Sequence, residues 1–261
     1  MPVIEKHPHG SFCWMELHTT DQNAAKQFYQ KLFGWDPMDF PMGPNETYTI
    51  FRLKGRDCSA ACTLRKDMIE HGVPPHWMLY IATDHVDEST RRAGELGAKI
   101  VGGPFDVGES GRMSIIQDPT GAHFCLWQGK QTPGIGIAVE DNAYCWADLN
   151  TPDRDAAKKF YSALFAWQFV TGEGKDESTY LHIMNGEQMI GGMPPSEVLP
   201  PNVPAHWMLY YQAGDCAAQT AKAESLGGRL CMPPTAIEGA GWFSIVTDPQ
   251  GAAFALFQST M

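Results

Sequence analysis

The sequence has no basic run, no apolar segment of membrane-spanning length and no CxxC motif, and each absence removes a class of function. With 19 Lys and Arg against 30 Asp and Glu, and a formal charge of −11, the chain lacks the clustered cations that a phosphate backbone attracts. Nucleic acid is therefore not an expected partner. Without a long apolar run no membrane partner is expected either, and the opening "MPVIEKHPHG" has no apolar core of a signal peptide. The seven cysteines, Cys13, Cys58, Cys62, Cys125, Cys145, Cys216 and Cys231, are odd in number and scattered. They read as reduced thiols rather than a disulfide framework, and a cytoplasmic location is the expectation. Against these absences stand 261 residues of which 43% are hydrophobic and 19% charged, enough for a large core and for two domains. Oligomeric state is not legible.

A repeat covers nearly the whole chain. Trp14, Tyr29, Trp35 and Tyr48 match Trp146, Tyr161, Trp167 and Tyr180 at an offset of 132 residues, and His76, Gly97 and Asp118 match His206, Gly227 and Asp248 at 130. The two lost residues fall between Tyr180 and His206, where loops absorb length changes at little cost. Two domains are expected, over residues 10–129 and 140–259, joined at the Gly- and Pro-rich "GKQTPGIG".

Each copy reads as strand, helix and three strands, then the same again. After "CWMELHTTD" the spacing of Ala25, Phe28, Tyr29, Leu32 and Phe33 predicts a helix capped by Thr20 or Asp21 and stopped at Gly34. The second copy repeats the stripe with Ala157, Phe160, Tyr161, Leu164 and Phe165, with Thr151 as expected cap and Pro152 at the first helical position. "TYTIFRL", "CSAACTL" and "HWMLYIA" read as strands, and "MSIIQD" and "AHFCLWQ" as a hairpin around "DPTG".

Strand alternation separates two faces. Met15 and Leu17 suit the helix-covered side, leaving Trp14, Glu16 and His18 on the other; the second copy gives Ala147 and Leu149 against Trp146, Asp148 and Asn150. The same rule places Trp77, Leu79 and Ile81 under the helices. It sends His76, Met78 and Tyr80, with His206, Met208 and Tyr210 in the second copy, toward a cleft shared by His123, Cys125 and Trp127.

The paired βαβββ pattern, "TTDQNAAKQFYQKLFGW" after a first strand and "QDPTGAHFCLWQ" near the end resemble the vicinal oxygen chelate superfamily, which includes glyoxalase I, bleomycin-resistance proteins and extradiol dioxygenases, and within it tandem two-domain members. The resemblance implies an α+β fold of two tandem glyoxalase-like domains, each of paired βαβββ units with a concave mixed sheet and helices outside. It also implies a divalent metal held by His, Gln or Glu from the first and fifth strands and Glu from the fourth and eighth. Carried over, the first-strand position falls on Trp14 and Trp146, the fifth on Met78 and Met208, the eighth on Cys125 and Ala255, and the fourth within "AACTL" and "IGGMP", where there is no carboxylate. Indole, thioether and thiol are poor partners for a hard or borderline divalent ion.

The expectation is therefore a protein without cofactor that binds small hydrophobic or planar molecules. Trp14, Glu16, His18, His76, Met78, Tyr80 and Cys125 would line one cleft, and Trp146, Asp148, Asn150, His206, Met208 and Tyr210 the other. The tryptophans read equally as core plugs, and His76 and His206 as caps of strand ends. Two enzymatic alternatives stand beside it. One is a lyase or dioxygenase with Fe or Mn on a displaced set, Glu16, His76 and His123; the other is metal-free acid–base catalysis by Glu16 with His76.

Overall fold

The computed structural model describes residues 4–44, 46–172, 176 and 179–260. The first sheet contains β1 (Phe12–Thr19), β2 (Asp36–Gly43), β3 (Glu46–Leu53), β4 (Arg56–Thr63), β5 (His76–Ala82), β6 (Lys99–Val107), β7 (Gly111–Gln117) and β8 (His123–Gly129). The second contains β9 (Tyr144–Asn150), β10 (Gln168–Thr171), β11 (Leu181–Asn185), β12 (Gln188–Met193), β13 (His206–Gln212), β14 (Arg229–Ile237), β15 (Gly241–Thr247) and β16 (Ala253–Ser259). Helices α1 (Gln22–Phe33), α2 (Lys66–Glu70) and α3 (Val86–Glu95) accompany the first, α4 (Arg154–Phe165) and α5 (Cys216–Ser225) the second. No helix among the described residues is long and apolar enough to cross a membrane.

The strand order β2-β3-β4-β1-β5-β8-β7-β6 is repeated as β10-β11-β12-β9-β13-β16-β15-β14. In each sheet the first strand of one βαβββ unit lies antiparallel to the first strand of the next, and parallel to the last strand of its own. The result is the expected α+β architecture of two tandem mixed sheets.

Local chemistry explains α1. Asp21 accepts from the Ala24 N–H at 2.9 Å, and Gly34 ends the helix in the left-handed region at φ 72°, where a side chain is disfavoured. The second copy corrects the expected cap. Asp153, not Thr151, caps α4, accepting from Ala156 N at 2.9 Å, and the helix starts at Arg154 rather than Pro152. The Thr151 hydroxyl instead accepts from Asp153 N at 3.2 Å, so Thr151 and Pro152 form a turn ahead of the helix.

The apolar stripe of each long helix is buried between the two sheets. Tyr29 stacks on Trp35 with centroids 5.6 Å apart and meets Phe254 of the second sheet at 5.7 Å. In mirror fashion Tyr161 stacks on Trp167 at 5.1 Å and meets Phe124 of the first sheet at 5.7 Å. The polar ends match as well: Tyr29 donates to Asp248 at 3.1 Å and Tyr161 to Asp118 at 2.9 Å. The other oxygen of each aspartate collects backbone N–H groups of its own DPxG turn. Thus the FY helix and the DPxG turn, the two most specific marks of the sequence, bond to each other across the domains.

The connection between the sheets is less free than its Gly and Pro content suggests. Ile135 N donates to Cys13 O and Gly136 N to Asp57 O, both at 2.8 Å, and Ile135 and Ile137 are buried. Two apolar anchors dock this segment onto the first domain.

Candidate functional site

The alternation of β1 puts Trp14, Glu16 and His18 on the concave face, opposite fully buried Met15 and Leu17. Register then decides what they meet: Trp14 faces Tyr80, Glu16 faces Met78, and His18 faces His76 on β5 and Cys62 on β4. Glu16 is 7% exposed and must be compensated. Its Oε2 accepts from Tyr48 OH at 2.5 Å and its Oε1 from Tyr80 OH at 2.9 Å. Trp14 Nε1 donates to Tyr48 OH at 2.9 Å, backing the first of these bonds.

His18 Nε2 lies 2.8 Å from Glu16 Oε1, an ion-pair distance, yet this buried nitrogen has no partner with hydrogen-bond alignment. The Cys62 thiol approaches the same oxygen at 3.8 Å. Burial alone would raise the Glu16 pKa; the His18 imidazole and the two phenols outweigh it and hold the carboxyl below its ordinary value.

His76 is turned away from this carboxylate. Its Nδ1 pairs with Pro74 O at 2.8 Å, its ring stacks on His18 at 4.9 Å, and burial together with the neighbouring His18 pushes its pKa down to about 4. His206 makes the same contact with Pro204 O at 2.9 Å, and burial lowers its pKa too. Nor does the displaced metal set Glu16, His76 and His123 come together. His123 is exposed at the start of β8, and among the described residues it is not one of the donors that converge with Glu16. The donors that do converge are Glu16, His18 and Cys62, all within 4.8 Å of one another.

At the positions that the resemblance assigns to a metal, Trp14, Met78 and Cys125 are 5%, 7% and 2% exposed. The Trp14 indole is committed as a donor to Tyr48, and burial pushes the Cys125 thiol well up. This donor set does not fit a hard divalent ion.

The second concave face keeps the carboxylate and changes its company. Asp148, 5% exposed, accepts from Tyr180 OH at 2.5 Å and Trp146 Nε1 at 3.0 Å on one oxygen, and from Tyr210 OH at 2.8 Å on the other. Where the first domain has His18 it has Asn150, and where the first has Ala60 opposite Glu16 it has Gly192 opposite Asp148. A Cβ at Gly192 would collide with the Tyr180 phenol. Here burial prevails over the three hydrogen bonds and the Asp148 pKa is raised. The imidazole has moved to β11: His182 stands edge-on to Tyr180 at 5.2 Å and to Trp146 at 6.4 Å.

The second face is also the more open one. Met208, Tyr210 and Ala255 form a small cluster flanked by half-buried Trp146, Phe243, Ile245 and Phe257. The first-domain counterparts of Trp146, Phe243 and Phe257 are Trp14, Met113 and Trp127, all buried. Trp127 is tied down through Nε1 to Thr132 O at 2.9 Å, in the connecting segment. The two best-formed surface pockets lie off both faces, one of about 380 Å³ beside Asp21, Lys26 and Asp39, the other of about 180 Å³ beside Cys216 and Trp242.

Sequence reasoning assigned no role to Tyr48, Tyr180 or His182, and did not place Cys62 beside Glu16. Tyr48 and Tyr180 were visible as matched landmarks of the repeat, and alternation from Tyr180 puts His182 on the same face. Cys62 required the parallel pairing of β4 with β1, which no local pattern announces.

The chain matches known proteins over its whole length. The family described as the Glyoxalase/Bleomycin resistance protein/Dioxygenase superfamily matches residues 12–126, and a glyoxalase-like domain matches residues 146–257. CFP32 of Mycobacterium tuberculosis, whose name proposes a glyoxylase, is 36% identical over 99% of this chain and 98% of its own. The anthracycline biosynthesis protein DnrV of Streptomyces peucetius is 29% identical over 95% and 93%. Among solved structures, the Mn(II)-bound glyoxalase from Novosphingobium aromaticivorans superposes with TM-score 0.65 at 13% identity, covering 96% of this chain and 82% of that one. The 2,3-dioxygenase LapB from Pseudomonas sp. KL28 superposes with TM-score 0.64 at 12% identity, covering 96% and 93%. At these identities the two structures share the fold.

Proposed function

Because the chain belongs to the Glyoxalase/Bleomycin resistance protein/Dioxygenase superfamily, we propose that it uses the family's concave faces to bind small planar or hydrophobic molecules, without a metal at the positions now held by Trp14, Met78 and Cys125 and their counterparts. The observation that carries this reading is the second face, where half-buried Trp146, Phe243 and Phe257 pack around Met208, Tyr210 and Ala255, and Tyr210 donates to the buried Asp148. Aromatic walls pay little ordering entropy on binding a flat ligand, and one buried polar group orients its edge. A hydroxyl or N–H on that edge would donate to Asp148 while the rings cover the ligand plane.

The relative named for anthracycline biosynthesis suggests the first probes, since an anthracycline is a fused and largely planar ring system. Titration with a panel of fused-ring phenols and quinones, followed by calorimetry, should give saturable binding that Trp146→Leu weakens and Trp14→Phe does not. Binding unaffected by Trp146→Leu, or none across the panel, would contradict the reading.

One observation favours a second reading, metal-free acid–base catalysis: burial raises the pKa of Asp148 while Tyr210 and Tyr180 hold it in place. A general acid needs a raised carboxyl within reach of its substrate. Under that reading Asp148→Asn abolishes turnover of a bound compound and preserves its affinity.

A further inference from the structure

The three donors that meet in the first concave face have no counterpart in the second. We propose that Glu16 Oε1, His18 Nε2 and Cys62 Sγ form a binding site for one divalent ion of the zinc class, confined to the first domain and made without Trp14, Met78 or Cys125.

Geometry supports it in three ways. Glu16 and His18 are two apart on β1 and so share a face, and Cys62 is the register partner of His18 on the adjacent parallel strand. Their donor atoms lie within 4.8 Å of one another, with Nε2 at 2.8 Å and Sγ at 3.8 Å from Oε1. A tetrahedral ion with bonds of about 2.0–2.3 Å needs donor separations of about 3.3–3.7 Å, a modest rearrangement from these values. His18 Nε2 is buried and held 2.8 Å from Glu16 Oε1 as an ion pair rather than by an aligned hydrogen bond, so two of the donors are already brought together.

The surroundings hold the donors in place. Tyr48, backed by Trp14, occupies Oε2 and leaves Oε1 to the cluster; Tyr80 adds a second bond to Oε1. The His18 ring is stacked on His76, itself pinned to Pro74 O. Outer contacts of this kind orient metal ligands. One imidazole, one carboxylate and one thiolate suit a borderline ion such as Zn(II) or Co(II) better than Mg(II) or Ca(II), and three protein ligands leave one tetrahedral position open. Binding transfers the Cys62 thiol proton to solvent. Asn150 and Pro194 stand where the second domain would need the imidazole and the thiol, so the stoichiometry is one ion per chain.

The full chain, reduced and stripped with a chelator, is titrated with Co(II) alone. The expected result is one Co(II) per chain, with a near-ultraviolet thiolate-to-metal charge-transfer band that Zn(II) abolishes by competition. Cys62→Ser should remove the band, and His18→Asn, which installs the residue of the second domain, should weaken affinity by more than the about 10–100-fold typical of losing an outer contact. Cys231→Ser, at an exposed thiol, should change nothing, and near-ultraviolet circular dichroism of each variant checks its fold. Absence of stoichiometric binding in wild type, or a charge-transfer band that survives Cys62→Ser in a folded variant, overturns the proposal. So does wild-type affinity in His18→Asn. Because none of these changes touches Trp146 or Asp148, failure here leaves the ligand-binding reading to its own test.

Discussion

The two concave faces are built from the same strands in the same order, yet they compensate a buried carboxylate in different ways. In the first domain Glu16 sits between two phenols, an imidazole and a thiol, and its pKa falls; in the second Asp148 has two phenols and an indole but no imidazole within bonding distance, and its pKa rises. The walls diverge in parallel: Trp14, Met113 and Trp127 are packed away, whereas Trp146, Phe243 and Phe257 remain half open. Duplication has kept the frame and redistributed the chemistry, giving one closed face with metal-type donors and one open face with an acid among aromatic rings.

The comparison presumes a symmetric frame, and its largest test is there. Trp35→Ala and Trp167→Ala each empty a fully buried site in the core between the sheets, and each should cost about 3–5 kcal/mol. Denaturant unfolding should show similar losses for both; a large loss for only one would mean that the domains do not share a core. A smaller effect is expected from making the faces alike. Gly192→Ala forces a side chain into the Tyr180 phenol and should cost about 1–3 kcal/mol as overpacking, while Ala60→Gly, the reverse change at the matching position, should leave the hydrogen bonds of Glu16 to both tyrosines intact, as judged by an unchanged near-ultraviolet spectrum.

The carboxylates themselves should separate by sign. Glu16→Gln removes a group that the fold holds below its ordinary pKa, and should destabilise by about 1–3 kcal/mol at neutral pH. Because a depressed carboxyl stabilises only while charged, that deficit should disappear as the pH falls below about 4.5 and through the folded value. Asp148→Asn removes a group whose charged form the fold disfavours. It should lie within about 1 kcal/mol of wild type, on the stabilised side at neutral pH, with the gain vanishing as the pH falls toward about 3.8. Urea midpoints across this range check both; equal pH profiles for the two variants would break the comparison.

How much of this was legible follows from the range of each physical signal. Alternation along β1 and β5 is local, so Trp14, Glu16 and His18, and the burial of Met15 and Leu17, could be read directly. The repeat offset is nearly as local, and it paired Glu16 with Asp148 correctly in register. What could not be read depends on nonlocal pairing: Cys62 reaches Glu16 only because β4 lies parallel to β1, and His123, exposed at the start of β8, is not among the donors that converge there. His76 shares the face of His18, but the Pro74 carbonyl captures its Nδ1, an orientation that alternation does not specify. The cap at Asp153 was obscured by Thr151 and Pro152, which carry equally good local signals two residues too early.

The claim that the second face alone is open to a flat ligand has a direct test. The eight tryptophans can be replaced with fluorotryptophan, the resonances of Trp14 and Trp146 assigned through Trp14→Phe and Trp146→Phe, and the labelled protein titrated with a fused-ring phenol. The account predicts a saturable shift at Trp146 with Trp14 unmoved. Equal shifts at both, or a shift at Trp14 alone, would contradict it.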